Sequence, residues 1–88
     1  MTTIYDVILK RHQPTTKSNV CIFYDTDREA AIKEMGKYVK NHGFTITEKT
    51  GTFTIANVVL REREATGTLI SETSYCELFD FSGKRKVK

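Results

Sequence analysis

The chain has 88 residues, 39% apolar and 28% charged, with a formal net charge of +3. Length and mixed charge fit one folded domain and exclude a disordered chain. No stretch approaches membrane-spanning length, and the N-terminus lacks the basic flank and apolar run of a secretory signal, so a cytoplasmic protein with no membrane partner is expected.

The charge is unevenly spread. The last five residues hold four of the 14 Lys and Arg, which leaves ten against 11 acidic residues and a net of −1 for Met1 to Gly83. Residues 1–83 therefore read as a near-neutral domain. Residues 84–88 read as a basic tail, expected to be disordered because its like charges repel and it has one apolar residue, Val87.

The first predicted element is a strand around Tyr5, Val7 and Leu9. A polar loop, Gln13 to Ser18, contains the only proline, Pro14. Val20-Cys21-Ile22-Phe23-Tyr24 follows as a second strand, and the short loop favours an antiparallel pair.

A helix is predicted from Thr26 to His42. Thr26 and Glu29 have the spacing of a capping box, Asp27 and Glu29 suit the positive end of the helix dipole, and Lys40 and His42 suit the negative end. Gly43 supplies the residue past the end. Ala31, Ile32, Met35, Gly36, Tyr38 and Val39 share one arc of the helix, and Lys33, Lys37 and Lys40 cluster away from it.

The second half reads as strands. Phe44 to Thr47 and Thr52 to Ile55 flank a turn at Glu48-Lys49-Thr50-Gly51. Val58 to Arg63 leads to another turn, Glu64-Ala65-Thr66-Gly67, and a final run spans Thr68 to Phe79. Ile55, Val58 and Val59 also fit helical spacing, which leaves Thr54 to Ala65 open between strand and helix; its β-branched content favours strand. Asn57 interrupts the alternation, as at a bulge. The expected fold is α+β: an antiparallel sheet of four to five strands with one helix on one face, in the order β-β-α-β-β(-β).

No catalytic, cofactor or metal motif stands out. Cys21, Cys76, His12 and His42 are the soft ligands, but none has the close companion a structural zinc site uses. Two free, partly buried thiols are expected instead. The residues before the helix, Tyr24-Asp25-Thr26-Asp27, are acidic and would repel a phosphate. No metal, no cofactor and no enzymatic activity are expected.

Two surfaces qualify for a partner. One helix covers one face of a sheet, yet the early strands are apolar on both. By strict alternation Ile4, Ile8, Cys21 and Phe23 fall on the uncovered face, where a protein partner or a second copy would bury them. An interaction module that binds protein or self-associates through its sheet is the first expectation. The alternative is a nucleic-acid-binding accessory protein using Lys33, Lys37, Lys40, Lys84, Arg85, Lys86 and Lys88. Aromatic residues do not interleave with those cations along the chain, which weighs against the alternative.

Overall fold

The computed structural model describes residues 2–11, 19–49, 51–80 and 82–86, with only the backbone of residues 11, 48 and 53. The elements are β1 (Thr3–Arg11), β2 (Asn19–Asp25), α1 (Arg28–His42), β3 (Thr45–Glu48), β4 (Gly51–Glu64), β5 (Leu69–Ser74) and α2 (Tyr75–Leu78). The loop around Pro14 lies outside the described residues. Five strands form an antiparallel sheet in the order β2-β1-β4-β3, with β5 also paired to β4. The fold is α+β, with one main helix packed on one face, and no described helix is long and apolar enough to cross a membrane.

The long strand β4 organises the sheet. Its first residues pair with β3, its later residues pair with β5, and β1 runs antiparallel to it from Thr3↔Glu64 to Arg11↔Ile55. The segment left open by its spacing is therefore strand. Val58 and Leu60 point into the core while Val59 and Arg61 take the other face, the period of two that a helix cannot give. The interruption near Asn57 is a bulge: Lys10 pairs with Asn57 and Arg11 with Ile55, which leaves Ala56 as the extra residue.

The core lies between sheet and helix. Val7 and Leu9 from β1, Ala31, Ile32 and Met35 from α1, and Ile55, Val58 and Leu60 from β4 are buried together. Leu78 and Phe79 close it from the C-terminal side.

A second bulge changes the reading of β2. Val7 pairs with Phe23 and Ile8 with Cys21, so Ile22 has no partner of its own and strict alternation fails. Ile22 and Phe23 both pack against the core on the helix side. Phe23 therefore does not share the far face with Ile8 and Cys21, contrary to expectation.

On that far face the register places Asp6, Ile8 and Lys10 of β1 opposite Arg61, Val59 and Asn57 of β4. Ile8 and Val59 are each 4% exposed, although no helix covers them. Ion pairs do. Lys10 Nζ reaches Glu72 of β5 at 2.7 Å, and Arg61 meets the same carboxylate at 2.9 Å. Lys10 stands level with Asn57 and Glu72 level with Arg61, so the Lys10–Glu72 bridge crosses above Val59. Arg63 clasps Asp6 through two hydrogen bonds, 2.6 and 3.3 Å. The long aliphatic stems cover apolar surface while their charged ends pair, at the surface for Glu72 and against the buried carboxylate of Asp6.

The start of α1 also differs from expectation. Asp27, with Thr26 outside, is the N-cap: its carboxylate accepts the Glu29 N–H at 3.0 Å. Asp25 in turn accepts the Asp27 N–H at 2.9 Å. A carboxylate carries full charge at the positive end of the helix, which a threonine hydroxyl does not. The end is as read: Gly43 has φ +63° and its N–H bonds Val39 O at 2.7 Å.

Asp27→Ala should cost about 1 kcal/mol, the usual worth of a cap, while Thr26→Ala should shift the urea midpoint little. Equal losses for the two would place the cap at Thr26 after all.

The far-face lattice makes a pH prediction. Hydrogen bonding from Lys10, with Arg61 added, holds the Glu72 carboxyl below its ordinary range. A depressed folded value stabilises at neutral pH and is lost as pH falls through that value. Glu72→Gln should lower stability by under about 1 kcal/mol at pH 7, the scale of exposed pairs. The difference from wild type should close below the carboxylate range. Thermal melts of both proteins from pH 7 to pH 3 measure it.

Candidate functional site

An open groove of about 1140 Å³ runs along the flank of α1. One wall is the helix, where Glu29, Lys33, Gly36, Lys37 and Lys40 recur at spacings of three and four and form a single stripe. The other wall is α2 and the chain beyond it. At a rise of about 1.5 Å per residue, the stretch from Glu29 to Lys40 is roughly 16 Å long.

The far wall exists because the C-terminus folds back. Of the residues read as a disordered tail, Lys84 to Lys86 return along Leu78 to Asp80. Asp80 N–H bonds Lys84 O at 2.9 Å, Lys86 N–H bonds Leu78 O at 2.8 Å, and Phe79 and Arg85 form an antiparallel bridge. Asp80 anchors the turn: its carboxylate accepts the Ser82 hydroxyl at 2.7 Å and the Lys84 N–H at 3.0 Å. Those bonds, Ser82's hydroxyl first, hold its carboxyl below the ordinary range. Arg85 spans the groove end to Glu29 at 3.2 Å, and Lys86 Nζ donates to Cys76 O at 2.6 Å. Val87 and Lys88 lie outside the described residues.

Phe79 ties this return to the helix. Its ring lies where a Gly36 side chain would be, with ring carbons 2.9 Å from the position of a Cβ. Tyr75 stacks on Phe79 at 4.6 Å and 12°, and Phe44 meets Tyr75 edge-on at 5.5 Å and 88°. The three rings run from the buried Phe79 to Phe44, which is 38% exposed. Burial, with Asp80 nearby, raises the Tyr75 phenol and keeps it neutral at ordinary pH. Phe44 is fixed at the mouth because Ile55 N–H bonds its carbonyl at 2.8 Å.

The structure thus brings Lys33, Lys37, Lys40, Lys84, Arg85 and Lys86 to one groove. Among the described residues, Lys33, Lys37, Lys40 and Lys84 are exposed and enter no ion pair. Both groove acids are engaged, Glu29 with Arg85 and Asp80 in its turn. Phe44, Tyr75 and Phe79 stand among these cations in space. The mid-helix Gly36 was the available signal, because a glycine there is costly and normally marks close packing.

The residues read as a sheet interface are dispersed. Ile8 is buried, Ile4 is partly buried, Cys21 is exposed on the far face, and Phe23 lines a small cleft against α1. The exposed large apolar residues of the sheet are Tyr24, Leu69 and Ile70. Both cysteines are free and exposed, contrary to the expected burial, and Cys76 belongs to α2 instead of a strand. Partial desolvation, and then the Asp6 carboxylate, raise the Cys21 thiol, so it is not primed as a nucleophile. Among the described residues, no group of three His, Cys, Asp or Glu is placed to hold a metal. His12 lies outside them. No protein-family model, curated protein or solved structure matches the chain.

Gly36→Ala tests the groove's construction. In an open helix face that change stabilises by up to about 1 kcal/mol. Here the new methyl meets the Phe79 ring, and overpacking of this kind costs about 1–3 kcal/mol. A net loss of stability is expected by chemical denaturation. A gain would show that the ring does not sit on Gly36.

Proposed function

We propose that the protein is a non-enzymatic binding module that takes up nucleic acid along the α1 groove. The observation that carries this reading is the set of four cations without ion pairs, Lys33, Lys37, Lys40 and Lys84, beside an exposed aromatic ring. On the far face, by contrast, Asp6 is paired with Arg63, and Glu72 with Lys10 and Arg61. Lysines held near one another without acidic partners repel, and an incoming phosphate chain relieves that repulsion while its counterions are released.

A sheet-mediated homodimer is the second reading. It is favoured by Tyr24 and Leu69, 68% and 55% exposed, whose register partners Asp6 and Arg63 belong to the far face. The ion pairs over Ile8 and Val59 leave less apolar area for such a contact than the alternating strands implied.

Salt separates the two. Binding of a fluorescent oligonucleotide, followed by anisotropy between 50 and 200 mM salt, should give a slope of log K against log salt of about −2.8 to −3.6, four contacts at roughly 0.7–0.9 each. The triple change Lys33→Glu, Lys37→Glu, Lys40→Glu should abolish binding while leaving the circular dichroism spectrum unchanged. No binding at 50 mM salt, together with a salt-indifferent dimer in sedimentation equilibrium, would replace this reading with the second.

A further inference from the structure

We infer that the groove's ligand is a single strand, with an unpaired base stacked on Phe44 and the following phosphates tracking Lys40, Lys37 and Lys33. The inference rests on the nucleic-acid reading above and adds the class of nucleic acid and the residue that selects it.

Shape argues first. The lysines border a concavity whose opposite wall is the C-terminal return, so they do not stand on a ridge. A protein element that enters the major groove of a duplex must project from the surface, because the bases are stacked inside a stiff rod. A lone backbone is flexible enough to lie inside a groove about 16 Å long.

The aromatic ladder argues second. Phe79 is buried against Gly36, Tyr75 is stacked on it, and Phe44 is the ring that reaches solvent. Its position is set on both sides, by the Gly43 turn that ends α1 and by the hydrogen bond from Ile55 to its carbonyl. An exposed phenylalanine held in place loses little freedom on binding, which favours a flat partner that stacks. Every unpaired base offers such a face, and a paired base does not.

The floor argues third, against the other anionic occupant, an acidic helical peptide. Such a peptide inserts apolar anchors at helical spacing into open pockets. Ile32 and Phe79 on this floor are 1% and 8% exposed, so neither opens into a pocket deep enough for such an anchor. The apolar surface that remains belongs to Phe44, Tyr75 and Val39 and is flat and ring-dominated, beside a row of charges.

The experiment uses the full chain and three labelled probes with equal numbers of phosphates in the contacted length: oligothymidine, an abasic strand and a hairpin duplex. Poly-glutamate serves as competitor. Oligothymidine should bind about fivefold to a hundredfold more tightly than the abasic strand, the usual worth of one stacked base. Phe44→Leu should erase that difference without altering abasic binding, and Phe44→Trp should keep it. The wild-type comparison stands even where a variant unfolds. Equal binding of oligothymidine and the abasic strand, tighter binding of the duplex, or displacement by poly-glutamate at matched charge would overturn the inference. In the first two cases the nucleic-acid reading would stand. Failure of all three probes to bind would remove that reading itself.

Discussion

The Phe79 ring lying on Gly36 is the contact from which both halves of the structure follow. Inward, the ring completes the core that Ile32 and Met35 share with the sheet. Outward, it is the base on which Tyr75 stacks, and Phe44 meets Tyr75 in turn. Lys84 to Lys86 are then held along Leu78 to Asp80, with Arg85 reaching the helix at Glu29, and form the second wall of the groove. A glycine in a helix interior sacrifices roughly 0.8–1 kcal/mol relative to alanine. Burying most of a phenylalanine returns about 1.5–3 kcal/mol, so the exchange favours the glycine.

The sheet poses a separate problem: it has two apolar faces and one helix. Packing α1 on one face removes Val7, Leu9, Val58 and Leu60 from water and leaves Ile8 and Val59 on the other. Long charged side chains pair across the strands of the far face, and the Lys10–Glu72 bridge crosses β4 above Val59. The pairs on Glu72 contribute little as exposed ion pairs, whereas Asp6 is buried and depends on Arg63 to offset the cost of taking its charge out of water. Their value lies in position, because a lysine or arginine held across a strand keeps its methylenes over the apolar floor. The alternation of Arg61 and Arg63 with Glu62 and Glu64 serves this end, placing both arginines on the face where Asp6 and Glu72 await them.

Local signals in the sequence were sufficient for the elements and insufficient for their contacts. The helix, its end at Gly43, the lysine stripe and the order of elements along the chain were legible because each depends on periodicity or on a cap within a few residues. The start of α1 was displaced by one residue because Thr26 and Asp27 are both competent caps and only geometry selects between them. Phe23 was assigned to the wrong face because one unpaired residue, Ile22, inverts everything beyond it along the strand, and β2 carries no glycine or proline to announce the bulge. The groove was hidden for a third reason. Phe44 follows the helix lysines closely, but Tyr75 and Phe79 lie far down the chain in and just after α2, so no short window contains all three rings with the lysines. Gly36 was the residue in the pattern that hinted at their meeting.

The two charged regions of the molecule are built on opposite rules. On the far face each acid is matched to a base: Asp6 to Arg63, and Glu72 to Lys10 and Arg61. Along the groove the acids are equally committed, but to the chain's own architecture, Asp80 to a backbone turn and Glu29 to the returning Arg85. Neither is left to neutralise Lys33, Lys37, Lys40 or Lys84. A body whose charges nearly cancel can therefore carry a local positive field, because cancellation over the whole chain says nothing about where the pairs form. The acids that hold the C-terminal return in place leave the groove lysines unpaired, so forming the groove and keeping it cationic are one structural event.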